Sequence, residues 1–182
     1  MILFIIQSLY FFLPAYIANM VPVICGKSYV SGMFSQPVDA RRLFRGVRIF
    51  GDNKTWGGLV GGILSGTLVF LVQQKLYPFI FFQNLSLLDY SMQPIMLGFF
   101  MALGALGGDL GKSFVKRRLG KAPGTSWFPF DQIDYVLGAF IFVLPFYVPD
   151  ASVFIVVLVL APVLHYAANY LAYIFGLKKV WW

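Results

Sequence analysis

The stretch ILFIIQSLYFFLPAYIANMVPVI, residues 2–24, contains no Asp, Glu, Lys or Arg. About 20 apolar residues in a helix match the roughly 30 Å hydrocarbon core of a bilayer, so this stretch reads as a membrane-spanning helix. Pro14 and Pro22 are expected to kink or end it. No basic run precedes it and no small-residue cleavage site follows, so it reads as a retained span rather than a signal peptide. Working outward, four further apolar segments stand out at 56–73, 94–108, 135–149 and 151–175, the third and fourth short for a crossing. The expectation is a single all-α integral membrane domain over residues 1–182, a bundle of about five transmembrane helices. Its long loops are 25–55 and 109–134, a mixed loop covers 74–93, and a tight turn at Pro149-Asp150 joins the last two spans.

Composition agrees: mean hydropathy is +0.78, and 59% of the chain is hydrophobic against 12% charged. A soluble domain of 182 residues needs a more polar surface than that. If the spans alternate, thirteen of the fourteen basic residues fall on one side. Lys27, Arg41, Arg42, Arg45, Arg48 and Lys54 lie in the first long loop, Lys112, Lys116, Arg117, Arg118 and Lys121 in the second, and Lys178 and Lys179 in the tail. Lys75 alone lies opposite. The positive-inside bias then predicts the N-terminus out, the C-terminus in, both long loops cytoplasmic and a multi-pass protein of the cell membrane. Tyr173, Trp181 and Trp182 are expected to anchor the last helix at the interface. A net charge of +7 suits anionic lipid or a phosphorylated substrate in a membrane chain, ahead of nucleic acid, which is not expected as a partner.

The acid and base inventory narrows the chemistry. All seven acidic residues are Asp, and His165 and Cys25 are the only residues of their types. Chemistry needing paired histidines or a thiolate metal site is disfavoured; Cys25 reads as a packing residue, and His165, within the fifth span, is left out of the site. The segment GGDLGKSFVKRRLGKAPGTSWFPFDQID, residues 107–134, is the densest polar stretch. If its first half is helical, Asp109, Lys112, Ser113 and Lys116 share one face. Asp131 and Asp134 share another at the entry to the fourth span. Three carboxylates suggest a hard-cation site with oxygen ligands, Mg²⁺ rather than zinc, although either of the latter two could cap the following helix. Lysines on the same face would meet phosphate oxygens, whereas Arg118 and Lys121 fit a solvated face over anionic lipid. The run Gly107–Ser113 is one residue short of a P-loop and follows no strand, so that motif is rejected. In GDNKTWGG, residues 51–58, Asn53, Lys54 and Thr55 precede the second span and form a ready anion site at a helix start. Arg41, Arg45 and Arg48 would share a face if helical, there more suited to lipid headgroups. Glycines 58, 62 and 66, and again 104 and 108, have the spacing of close helix packing, to which no functional weight is given.

A carboxylate-held metal with lysines and no histidine suits phosphoryl-type transfer, where positioning and charge neutralisation dominate. A phosphate monoester nucleophile, its second pKa near 6, needs no general base. The pattern GD-x3-S-x2-KR from Gly108 to Arg117, a following Lys and then D-x2-D resembles the signature of CDP-diacylglycerol synthases. KTWGG and SWFPFDQID bring the chain closer to their archaeal relatives, the CDP-archaeol synthases, a resemblance covering essentially the whole chain. It implies a Mg²⁺-dependent cytidylyltransferase joining CTP to an isoprenoid ether glycerol phosphate, releasing pyrophosphate. Catalytic residues would be Asp109, Lys116, Asp131 and Asp134, with the three Asp holding metal; Asn53, Lys54, Thr55, Lys112, Ser113 and Arg117 would bind substrate. The alternatives weighed are a CDP-alcohol phosphotransferase, whose four-Asp signature is not present, and a non-enzymatic anion carrier or lipid-binding protein. Oligomeric state is not legible.

Overall fold

The computed structural model describes residues 1–25, 32–122 and 124–176. Lys27, Lys178, Lys179, Trp181, Trp182 and the side chain of Cys25 fall outside that description. Among the described residues six helices carry the fold: α1 (Ile2–Cys25), α2 (Trp56–Leu76), a short α3 (Ile80–Asn84), α4 (Met96–Arg118), α5 (Phe130–Val143) and α6 (Ala151–Ile174). Each of the five apolar segments coincides with a long helix. By length and composition α1, α2 and α6 can cross a bilayer.

Four boundaries correct the sequence reading. First, α1 runs through both Pro14 and Pro22 instead of ending at either. Second, α4 continues ten residues past the apolar segment, to Arg118, so the first part of the polar stretch is helix, not loop. Third, α5 begins at Phe130 and ends at Val143, so residues 144–150 form an open connection in place of a tight turn. Fourth, Arg41, Arg45 and Arg48 lie on no helix. Residues 43–48 form an antiparallel hairpin, β1 (Leu43–Phe44) and β2 (Val47–Arg48). Its two-residue turn, Arg45-Gly46, has φ of 52° and 77°, the doubly left-handed geometry that matches strand twist and that glycine supplies readily.

Small residues set how closely the helices approach. Without a hydrophobic drive between helices in lipid, close van der Waals packing must hold them. Gly62 and Gly66 of α2 face Ala18 and Pro14 of α1 on one side, and Leu106 and Ala102 of α4 on the other. The α4–α5 crossing is tighter still. A Cβ on Gly138 would stand 2.1 Å from the Gly104 carbonyl oxygen, and one on Gly108 2.2 Å from that of Asp134. Backbone therefore rests on backbone, and side chains flanking the crossing are forced together. Below it, Phe11, Phe12, Phe70, Tyr90, Leu97, Met101 and Tyr135 pack the buried core.

Candidate active site

The α4–α5 crossing brings Gly108 onto Asp134, and from there the cluster builds along α4. Because α4 stays helical past Gly108, Asp109, Lys112 and Lys116 do share a face, and α5 lays Asp131 and Asp134 against it. Lys112 is the hub. Its ammonium lies 3.1 Å from Asp109 Oδ1, 3.1 Å from Asp131 Oδ1 and 2.7 Å from Asp134 Oδ2. Lys116 Nζ sits 3.0 and 3.1 Å from the two oxygens of Asp131 and donates to the Thr125 carbonyl at 2.5 Å. Lys54, from the far end of the first loop, pairs with Asp109 Oδ2. Three carboxylates and three ammonium groups thus interlock into one electrically balanced chain.

Backbone donors hold the acids in place. Trp127 N–H donates to Asp131 Oδ2 at 2.6 Å, and Tyr135 N–H to Asp134 Oδ1 at 2.7 Å. Asp131 stands in the first turn of α5 and Lys116 in the last turn of α4, beyond the apolar parts of both helices. Burial alone would raise the Asp131 carboxyl, but Lys112 and Lys116 hold it below the usual carboxylate range. Burial lowers Lys116 despite its pairing with Asp131.

The remaining residues expected at the site fall out unequally. Thr55 caps α2, its Oγ1 accepting from Gly58 N–H at 3.2 Å. Asn53, Lys54, Thr55 and Asp109 form the polar side of a shallow pocket whose apolar side includes Leu59 and Leu106. Ser113 is buried one helical turn from Asp109. Arg117 turns away from the cluster to the Ala122 carbonyl at 3.4 Å. Arg118 is not the solvated headgroup residue expected. Its guanidinium donates to the carbonyls of Phe44, Val47 and Arg48 and lies 4.6 Å from the Phe114 ring centroid, strapping the hairpin to the end of α4. Lys121 lies over the Trp127 ring at 5.7 Å. His165 meets Tyr166 edge-on.

The donor set fits a hard cation. All three acids offer only oxygen, and Asp134 Oδ2 is buried against the Lys112 ammonium at 2.7 Å. Among the described residues, no three acids are drawn in tightly enough to hold an ion as they stand. Oxygens around Lys112 lie at 2.7–3.1 Å, whereas Mg²⁺ takes them at about 2.1 Å. Accommodating the ion therefore requires Lys112 to withdraw and the carboxylates to close in.

Comparison with known proteins settles the lineage. The family model for CarS-like proteins, CDP-archaeol synthase, matches residues 1–182. The chain belongs to this family. CDP-archaeol synthase of Pyrococcus furiosus is 38% identical over 179 residues, spanning 98% of each chain. That of Methanoregula boonei is 41% identical over 176 residues, 93% of this chain and 99% of its own. A solved structure of an intramembrane enzyme for archaeal membrane lipids biosynthesis superposes with a TM-score of 0.72 at 31% identity, covering 89% of this chain and 92% of that one.

The sequence reading passed over two features of this CDP-archaeol synthase scaffold. Gly138 was not singled out, although it forms half of the crossing that assembles the cluster. Asp39 was also missed: it is buried in the first loop and accepts from three backbone N–H groups and Arg48. Its signal was legible, since Asp39 and Asp52 are the only acids in a stretch otherwise rich in arginine.

Proposed function

We propose that this chain transfers a cytidylyl group from CTP to 2,3-bis-(O-geranylgeranyl)-sn-glycerol 1-phosphate, giving CDP-archaeol and pyrophosphate in a Mg²⁺-dependent reaction. The carrying observation is three carboxylates converging on one ammonium at the α4–α5 crossing. At rest the cluster is neutral and offers no spare positive charge to a triphosphate. A divalent cation binding Asp109, Asp131 and Asp134 would displace Lys112 and release the lysines toward phosphate oxygens. Metal and nucleotide are then required together, and neither binds well alone. The ion, when bound, would supply charge neutralisation on the phosphates.

This chain's own residues do the remainder. Lys112 and Lys116, freed from the acids, hold the departing pyrophosphate; Lys54 draws the lipid phosphate or the triphosphate to the first-loop side of Asp109. Asn53, Thr55, Ser113 and Arg117 assist in binding, Arg117 only after leaving the Ala122 carbonyl. The lipid phosphate is already largely dianionic at neutral pH, so its oxygen attacks the α-phosphorus in line while the phosphoanhydride bond to pyrophosphate breaks. No protein base takes a proton. In this reading the cluster lies at the cytoplasmic ends of five spans, N-terminus out and C-terminus in, where CTP arrives from water and the lipid from the bilayer; the basic bias of the two long loops supports it.

The test is purified protein with α-labelled CTP, Mg²⁺ and the isoprenoid ether glycerol phosphate, counting label in the organic phase. Metal-dependent transfer by wild type and its loss, by at least 100-fold, in Asp131→Asn is the expected outcome. Folded protein that labels no lipid phosphate with any nucleotide would overturn the proposal.

A further inference from the structure

The first loop reaches the cluster through Lys54, and what fixes Lys54 is a buried carboxylate remote from the ion pairs. Asp39 Oδ1 accepts from Arg41 N–H at 3.0 Å and from Arg48 Nη2 at 2.9 Å. Its Oδ2 accepts from Arg48 Nε at 3.3 Å, Phe50 N–H at 3.0 Å and Gly51 N–H at 3.1 Å. Both oxygens are thus saturated, and one side chain pins residues 48–51 to residues 39–41. The stretch leading into it is clamped to Lys54 directly: Val38 N–H donates to the Lys54 carbonyl at 2.7 Å, and Trp56 N–H to the Gln36 carbonyl at 3.1 Å. Lys54 N–H in turn donates to the Gly51 carbonyl at 3.3 Å. The Lys54 backbone is therefore held from both directions by segments that Asp39 ties together.

We infer that Asp39 is a positioning residue for Lys54, setting the place from which its ammonium meets Asp109. The inference rests on the proposed role of Lys54 at the cluster. A side chain reaching across 55 residues of sequence to one carboxylate is accurate only if its backbone is. Misplacement by about 1 Å is enough to cost on the order of 100-fold in rate. An amide at position 39 presents donors where the surrounding N–H groups and Arg48 also donate, so Asp39→Asn breaks at least part of the knot. Asp39 does not itself line the pocket, so its effect travels through the backbone it ties, and Lys54 is the residue of that stretch that pairs with the cluster.

Two readouts test this. Hydrogen exchange followed by mass spectrometry reports protection of the amides at 48–56 with no reference to catalysis. Asp39→Asn is expected to lose protection there by at least tenfold while α4 and α5 keep theirs. Turnover of labelled CTP into lipid is then measured for Asp39→Asn, Lys54→Ala and the double variant. The single Asp39→Asn loses about 10- to 100-fold in kcat, and the double variant is no slower than Lys54→Ala alone, because residues acting as one unit are not additive. Arg48→Lys, which removes the two-pronged grip but keeps the charge, shows a smaller loss in the same direction, equally silent beside Lys54→Ala. Unchanged protection at 48–56, or losses that multiply in the double variant, would overturn the assignment. Should wild type transfer no label, the cytidylyl reading fails, and the exchange measurement still decides whether Asp39 holds Lys54.

Discussion

Lys112 occupies a position that looks contradictory, a long cation enclosed by the acids expected to hold metal. Removing it leaves three carboxylates facing one another, and breaking a buried pair costs about 3–5 kcal/mol. Lys112→Met is therefore expected to lower the metal-free melting temperature by several degrees and to make the protein more responsive to Mg²⁺. A melting series against metal concentration, compared with wild type, checks both. Asp39 offers a pH test with the sign fixed in advance. Burial would raise its carboxyl, but the Arg48 guanidinium and three backbone N–H groups hold it well below the usual carboxylate range. A carboxyl depressed in the folded state contributes stability above its unfolded value, near 3.9, and loses that contribution as pH falls through the folded value. Exchange protection of residues 48–56 should thus stay flat from pH 8 to about 4 and fall only in stronger acid. At this scale the Asp trio, Lys54 and Lys116 were legible because charge is costly near a membrane. The hub role of Lys112 was not, since helical periodicity places it beside Asp109 but says nothing of α5.

At the scale of helices, the α4–α5 crossing decides whether there is a site at all. A methyl group at Gly108 or Gly138 meets a carbonyl oxygen at 2.2 or 2.1 Å, and because backbone cannot rotate aside, the helices must separate. Gly108→Ala and Gly138→Ala should each cut activity at least 100-fold and destabilise by about 1–3 kcal/mol. Gly107 of α4 faces open space, so Gly107→Ala should leave transfer intact and be neutral or slightly stabilising, alanine being the better helix former by up to about 1 kcal/mol. Label transfer and thermal melts on the three variants separate packing from a general intolerance of substitution. The small-residue spacing in α4 was visible in the sequence, yet which glycines touch backbone depends on the partner helix. The length of α4 was likewise underread. Its apolar part stops at Gly108, but no proline interrupts residues 109–118, and helix continues to Arg118, two residues before Gly120, where φ is 69°. The hairpin went unrecognised because its strands are two residues each, too short for any periodicity to register.

For the whole molecule, the proposed topology makes a surface prediction. A cysteine introduced at Lys75 should react with an impermeant maleimide added outside intact cells, and one at Lys121 only after the membrane is opened. The reverse pattern would invert the molecule. The balanced cluster also predicts a cooperative ligand effect. Mg²⁺ and CTP together should raise the melting temperature far more than the sum of either alone, by an amount equivalent to about 2.7 kcal/mol when the metal–nucleotide pair, taken as one ligand, stands near 100-fold over its dissociation constant. The bundle of apolar helices was readable from hydropathy because lipid imposes so strict a composition. The ionic core was less so, since opposite charges from separate helices cancel only in three dimensions. That cancellation bears on biogenesis. Neither α4 nor α5 is among the helices apolar and long enough to cross by themselves, and each carries acids or lysines that resist entry into hydrocarbon. Paired, Lys112 and Lys116 of α4 meet Asp131 and Asp134 of α5. Entry of the two as a paired hairpin therefore costs less than entry of either one alone.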